Sequence, residues 1–176
     1  MLALVLGRTH KAQPTHHASS PAPAALPAIT AVGPTPDTAG QGACNKVIGA
    51  LPLQIAGLAP RVVHPNPDSP YVVAWGDPAI VLRCGVPRPA ALVPGSADQI
   101  FSANGGTGVY WVPVKQKAAT VWTTVDRAVY VEVTVPASYP TPPLSAFGAA
   151  IATVLPSVCS TDPNEPNVSK LCTRRP

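Results

Sequence analysis

A chain of 176 residues, 46% hydrophobic and only 11% charged, carries enough apolar side chain for one core, which excludes a charge-solvated disordered polymer. Its 24 prolines and 13 glycines exclude long uninterrupted helices, because both residues interrupt helices and central strands. The net charge is +4, from basic residues scattered along the chain with no stripe interleaved with aromatics, so nothing here points to nucleic acid.

Met1 to Gly7 is an apolar stub followed by Arg8, His10 and Lys11. It is shorter than the roughly 20 apolar residues that span a bilayer. No basic region precedes it, so residues 1–7 read as the remnant of a signal or membrane anchor whose natural start lies upstream. Residues 8–42 read as a disordered tether rich in Pro and Ala, with Pro14, Pro21, Pro23, Pro27, Pro34 and Pro36 favouring extended backbone. The folded domain is expected over 43–160, and a C-terminal tail over 161–176.

A short helix is predicted from Cys44 to Pro52, with Val47, Ile48 and Leu51 on one face. The prolines at 60, 65, 67 and 70 predict a loop. Strands are predicted at Tyr71–Trp75 and, after the turn Gly76-Asp77-Pro78, at Ala79–Cys84. In the second of these, Ile80, Leu82 and Cys84 share one face and Val81 and Arg83 the other. Residues 85–107 read as loop. Further strands are predicted at Val109–Val114, Thr120–Thr124 and Ala128–Val135. In the last, Val129, Val131 and Val133 alternate with Tyr130, Glu132 and Thr134. Leu144–Leu155 is the clearest helix, with Ser145 as its cap, Phe147, Ile151 and Leu155 at helical spacing, and Pro156 as its stop.

Four cysteines, Cys44, Cys84, Cys159 and Cys172, lack the paired spacing of a zinc site and allow two disulfides in three connectivities. The preferred pairing is Cys44–Cys84 with Cys159–Cys172, and Cys44–Cys159 is the alternative. Disulfides imply an oxidising compartment outside the cytoplasm. The expected fold is α+β: a small antiparallel sheet of four to five strands with two helices packed on one face, stapled by disulfides.

The segment Trp75-Gly-Asp-Pro-Ala-Ile-Val-Leu-Arg-Cys-Gly-Val86 resembles a family of small uncharacterised actinobacterial proteins that are exported or membrane-anchored. Val129–Pro136 and the helix ending at Leu155-Pro156 are similar too, so the resemblance runs from about Ala43 to Pro156. It implies an N-terminal membrane segment, an extracytoplasmic domain and no assigned activity.

No catalytic constellation emerges. His64, Asp68 and Ser69 are too close together in a Pro-rich loop to form a relay, and no nucleophile elbow or phosphate loop is present. No metal or cofactor is expected. His10, His16 and His17 lie in the unorganised tether. Asn167-Val-Ser169 matches a glycosylation sequon by its three residues alone.

The candidate binding residues are Trp75, Asp77, Arg83, Tyr130 and Glu132. Asp77 and Arg83 bracket a strand and are candidates to pair across its turn. Arg83, Tyr130 and Glu132 face away from the helices, and with Trp75, Tyr110, Trp111 or Trp122 they would form a polar-aromatic patch suited to a protein or a glycan. Asp126-Arg127 reads as turn chemistry. The expected function is a non-catalytic binding or interaction module of the cell envelope, secreted or anchored, whose partner is an envelope protein or glycan, and whose contact with the membrane runs only through an N-terminal anchor. The alternatives are an exported hydrolase using His64, or Asp77 with Arg83, and a structural spacer.

Overall fold

Strict alternation on two central strands organises the molecule, whose computed structural model describes residues 25–93, 100–104 and 107–158. Strand β1 is Ile29–Ala31, helix α1 is Thr38–Ala50, β2 is Pro60–Arg61, β3 is Val63–Pro65, β4 is Val72–Trp75 and β5 is Ile80–Val86. Strand β6 is Ile100–Asn104, β7 is Thr107–Lys115, β8 is Ala119–Thr124, β9 is Tyr130–Pro136 and helix α2 is Leu144–Val154. Among the described residues these form a seven-stranded sheet in the order β2-β4-β5-β9-β8-β7-β6, every pair antiparallel, and a separate parallel pair β1-β3. The α+β class and the two helices agree with expectation, whereas the sheet has more strands than the four to five predicted.

The core lies between the helices and one face of the sheet. On β5, Ile80, Leu82 and Cys84 point to it, and on β9 Val131, Val133 and Val135 do. Helix α1 lays Cys44 and Val47 on this surface, and α2 lays Leu144, Phe147 and Ile151, spaced three, four and seven residues apart as one helical stripe requires. Trp75 meets Phe147 edge to face at 5.5 Å between ring centroids. Its indole Nε1 donates to the Leu53 carbonyl at 3.1 Å. Both helices therefore cover one face, as the alternation predicts.

Cys44 on α1 and Cys84 on β5 are joined by a disulfide, both fully buried. This is the first bond of the preferred pairing, and its oxidised state fits an extracellular location. Cys159 and Cys172 lie outside the described residues, as do His10, His16, His17 and Asn167. No helix among the described residues is long and apolar enough to cross a membrane.

Order begins earlier than composition predicts. Residues 29–31 and 38–42, inside the stretch read as tether, form β1 and the start of α1. Asp37 caps α1, its Oδ1 accepting from the Gly40 N–H at 2.8 Å. The Pro34 carbonyl accepts from the buried Ser69 hydroxyl at 2.8 Å, and Pro36 lies on β5. Extended Pro-rich backbone thus packs as a strap rather than remaining free. The predicted loop 60–70 holds β2 and β3, and the predicted loop 85–107 holds β6. These strands are short, and Pro60 stands first in its strand, where no ladder N–H is required. Pro113 is tolerated in β7 because, among the described residues, β6 pairs only as far as Trp111 and leaves that side of β7 without a partner strand. Ser145 does not cap α2: Pro143 holds the cap position and makes no side-chain bond.

The register slips between Cys84 and Val86 at Gly85, whose φ is +86°. Val86 consequently sits opposite Tyr130 instead of continuing the Ile80–Leu82–Cys84 stripe. A Cβ on Gly85 would come within 2.6 Å of Pro36 Cβ. Gly85→Ala is expected to destabilise the fold by about 1–3 kcal/mol, from backbone strain and the displaced strap. Urea titration followed by intrinsic fluorescence measures it.

Candidate functional site

The face of the sheet away from the helices carries the predicted polar residues, and its register sets their neighbours. Arg83 on β5 stands directly opposite Glu132 on β9. Arg83 Nε and Nη2 both donate to Glu132 Oε1, at 2.9 and 2.6 Å. Their side chains keep 25% and 14% of their exposure, so the pair is partly desolvated yet reachable. One row along, Val81, Thr134, Val121 and Val114 face one another in sequence across β5, β9, β8 and β7. The first three are half-buried and Val114 is exposed. The uncovered part of the face is thus a β-branched strip with one charge pair beside it, while Val72 and Ala74 on the neighbouring β4 are buried.

The other end of the face is roofed. After β5 the chain crosses back over it, and Leu92 packs against Val112 and Val125, with Tyr110 and Tyr130 alongside. Arg88 Nη1 holds this crossing by donating to the Leu92 carbonyl at 2.7 Å. Tyr130 lies between that roof and the Arg83–Glu132 pair, since it precedes Glu132 by two residues on the same strand face.

The structure does not bring Asp77 or the predicted tryptophans here. Trp75, Trp111 and Trp122 lie on the helix side and are 3%, 0% and 9% exposed, so of the aromatic residues expected to join the patch only Tyr110 lies on this face, packed with Tyr130 under the roof. The three tryptophans occupy inward positions of their strands, where burying large apolar area outweighs display. Asp77 does not pair with Arg83. Its Oδ1 accepts from Arg61 Nη1 at 2.8 Å, and Arg61 also binds the Gly76 and Pro27 carbonyls, tying the β4–β5 turn to β2 and the N-terminal segment. Gly76, with φ +74°, leaves room for Tyr139, whose hydroxyl donates to the Pro78 carbonyl. The distinctive segment Trp75–Val86 is thus largely architectural: a core ring, a tied turn, a disulfide and a bulge.

His64 is exposed on β3, whereas the Ser69 hydroxyl is buried and already donates to Pro34. Its oxygen also accepts from the Tyr71 N–H at 3.4 Å. A hydroxyl committed to holding the strap has no proton to give a neighbouring base. No cluster of three or more His, Cys, Asp or Glu suited to a metal occurs among the described residues.

Asp126 and Arg127 are more than turn residues. They are 1% and 6% exposed and form a buried ion pair through Arg127 Nη1 and Asp126 Oδ2. Asp126 Oδ1 accepts from the Tyr110 N–H at 3.1 Å, and Arg127 Nη2 donates to the Gly108 carbonyl at 2.7 Å. The pair locks the β8–β9 turn onto β7. Burial pushes the Asp126 carboxyl above its ordinary range, against the pull of Arg127 and the Tyr110 N–H.

Reading the sequence overlooked the Val81–Thr134–Val121–Val114 strip. Its signal was available: β-branched residues at the outward positions of strands whose inward positions are also apolar, a pattern that marks a sheet with two contact faces. A family model described as a protein of unknown function (DUF3515) matches residues 1–159. Neither a curated protein nor a solved structure matches the chain.

Proposed function

The chain belongs to the DUF3515 family of proteins of unknown function, and we propose that it is a non-catalytic extracytoplasmic interaction module, secreted or held at the cell membrane, which docks a protein partner on the helix-free face of its sheet. One observation carries the reading: a row of β-branched side chains left partly exposed beside the half-buried Arg83–Glu132 pair, on a sheet whose other face is filled by helices. A mostly apolar row with a partly desolvated charge pair is the make-up of a protein–protein contact. A glycan would call for exposed aromatic platforms, and the tryptophans are spent in the core. The buried disulfide supports the compartment. The hydrolase alternative loses its support, because Ser69 is engaged with the strap, and Asp77 and Arg83 are engaged with different partners.

Immobilised wild-type protein is expected to retain a defined protein partner from cell-envelope extract, identified by mass. Val121→Glu, which puts a charge on the strip, is expected to lose it without loss of thermal stability, while Lys46→Glu on the exposed side of α1 keeps it. Equal retention by Val121→Glu and the wild type would overturn the reading. A structural spacer would be indifferent to both changes.

A further inference from the structure

The chemistry of the helix-free face is complementary to itself. Arg83 and Glu132 put one positive and one negative charge side by side, bonded at 2.6 Å, on neighbouring strands. A half-turn about an axis lying between two such faces, and running across the line from Arg83 to Glu132, brings each Arg83 over the Glu132 of the other copy. The same operation lays Val81 over the Thr134 of the other copy, so no like charges meet beside the axis, and it carries Val121 and Val114 toward Ala74 and Arg61, whose charge is already paired with Asp77. The two-fold arrangement is the commonest oligomer symmetry and requires this kind of self-complementary patch. Two sheets stacked in this way would lie about 10 Å apart, as the sheets of a sandwich do.

We infer that the partner of this face is a second copy of the chain, forming a two-fold dimer in which the two helix-free faces stack and the Arg83 and Glu132 side chains of both copies make a four-charge cluster. This rests on the interaction reading above and names its partner. It gives the partly desolvated pair a second carboxylate and a second guanidinium, the compensation that half-buried charges require. It also leaves both helix layers outward.

Sedimentation equilibrium of the full chain under oxidising conditions tests it. The wild type is expected to be a concentration-dependent dimer. Arg83→Glu makes the face doubly negative and Glu132→Arg makes it doubly positive, so each alone sets like charges across the axis. Each is expected to weaken self-association by about a hundredfold or more. Mixing the two variants in equal amounts restores a dimer, because the faces are now opposite in charge. The double exchange R83E/E132R restores self-association, because the pair is rebuilt in reverse. Circular dichroism and melting of each variant establish that it is folded. If a variant fails to fold, Val121→Glu takes its place, with loss of the dimer expected.

A wild type that stays monomeric to about 100 μM, near the weak limit for a specific contact, overturns the inference. So do folded single-charge variants that dimerise as the wild type does, or single variants that fail to associate when mixed. If the wild type is monomeric but Val121→Glu still abolishes capture of another protein, the self-association has failed and the interaction face stands. If capture is also unaffected, both have failed.

Discussion

Replacing Cys44 and Cys84 together by alanine lowers the unfolding free energy by about 4 kcal/mol, the loop-closure value for the 40-residue separation the bond spans. For a domain whose total stability is on the order of 5–15 kcal/mol, this is a large fraction. The bond matters because α1 offers only two buried side chains to the sheet, Cys44 and Val47, and one of these is the disulfide itself. Urea titrations of the oxidised wild type and the double variant measure the difference. A loss below about 1 kcal/mol would mean that packing alone holds α1. Both sulfurs are fully buried, so dithiothreitol is expected to reduce the bond in the folded protein only slowly, and quickly once denaturant opens the core.

Asp126→Ala is expected to cost about 3–5 kcal/mol, because it strands the Arg127 guanidinium in a dry site. The Asp126 and Gly108 carbonyls would still accept from the guanidinium, but no carboxylate among its partners in the described residues would remain to balance its charge. The reverse change, Arg127→Leu, leaves a carboxyl that can be protonated. Burial has raised the folded-state pKa of Asp126 above its unfolded value. The folded state therefore holds this proton more tightly, and the group's contribution to stability is greatest below the unfolded pKa. That contribution falls as pH rises through the folded pKa. The cost of Arg127→Leu should accordingly shrink as pH drops into that window, while the cost of Asp126→Ala should not. Thermal melts of both variants across acidic and neutral pH distinguish them, and parallel pH profiles would refute the buried-pair account.

Much of the core is legible in the amino-acid order because its elements obey local periods. Ile80, Leu82 and Cys84 alternate with Val81 and Arg83, and Val131 and Val133 alternate with Glu132 and Thr134. Each set lies on the face that alternation assigns. Phe147 and Ile151 do the same at helical spacing. The elements that local patterns miss are those held by partners distant in sequence. Strand β1 exists because β3 offers it a ladder, and the strap at 33–37 is ordered by Ser69 and by the gap over Gly85. Composition averaged over residues 8–42 cannot register such contacts.

The candidate face divides in the same way. The outward direction of Arg83, Tyr130 and Glu132 follows from period two alone. Which of them pair does not: Asp77 is six residues from Arg83 in the chain, yet the register hands Arg83 to Glu132 and leaves Asp77 to Arg61. The tryptophans show the limit of composition, since an aromatic count says nothing about which side of a sheet each ring lies on.

From the sequence alone came the α+β class, the helix-covered face and the Cys44–Cys84 bond as first choice. These depend on short-range periodicity and on the chemistry of cysteine, which are properties of neighbouring residues. Only the tertiary structure decided the strand order β2-β4-β5-β9-β8-β7-β6, the bulge at Gly85 that turns Val86 toward Tyr130, the burial of Asp126 with Arg127, and the apolar strip across four strands. Those depend on which strands become neighbours, and that is set by the closure of long loops and the burial of the whole sheet, not by any local run of residues.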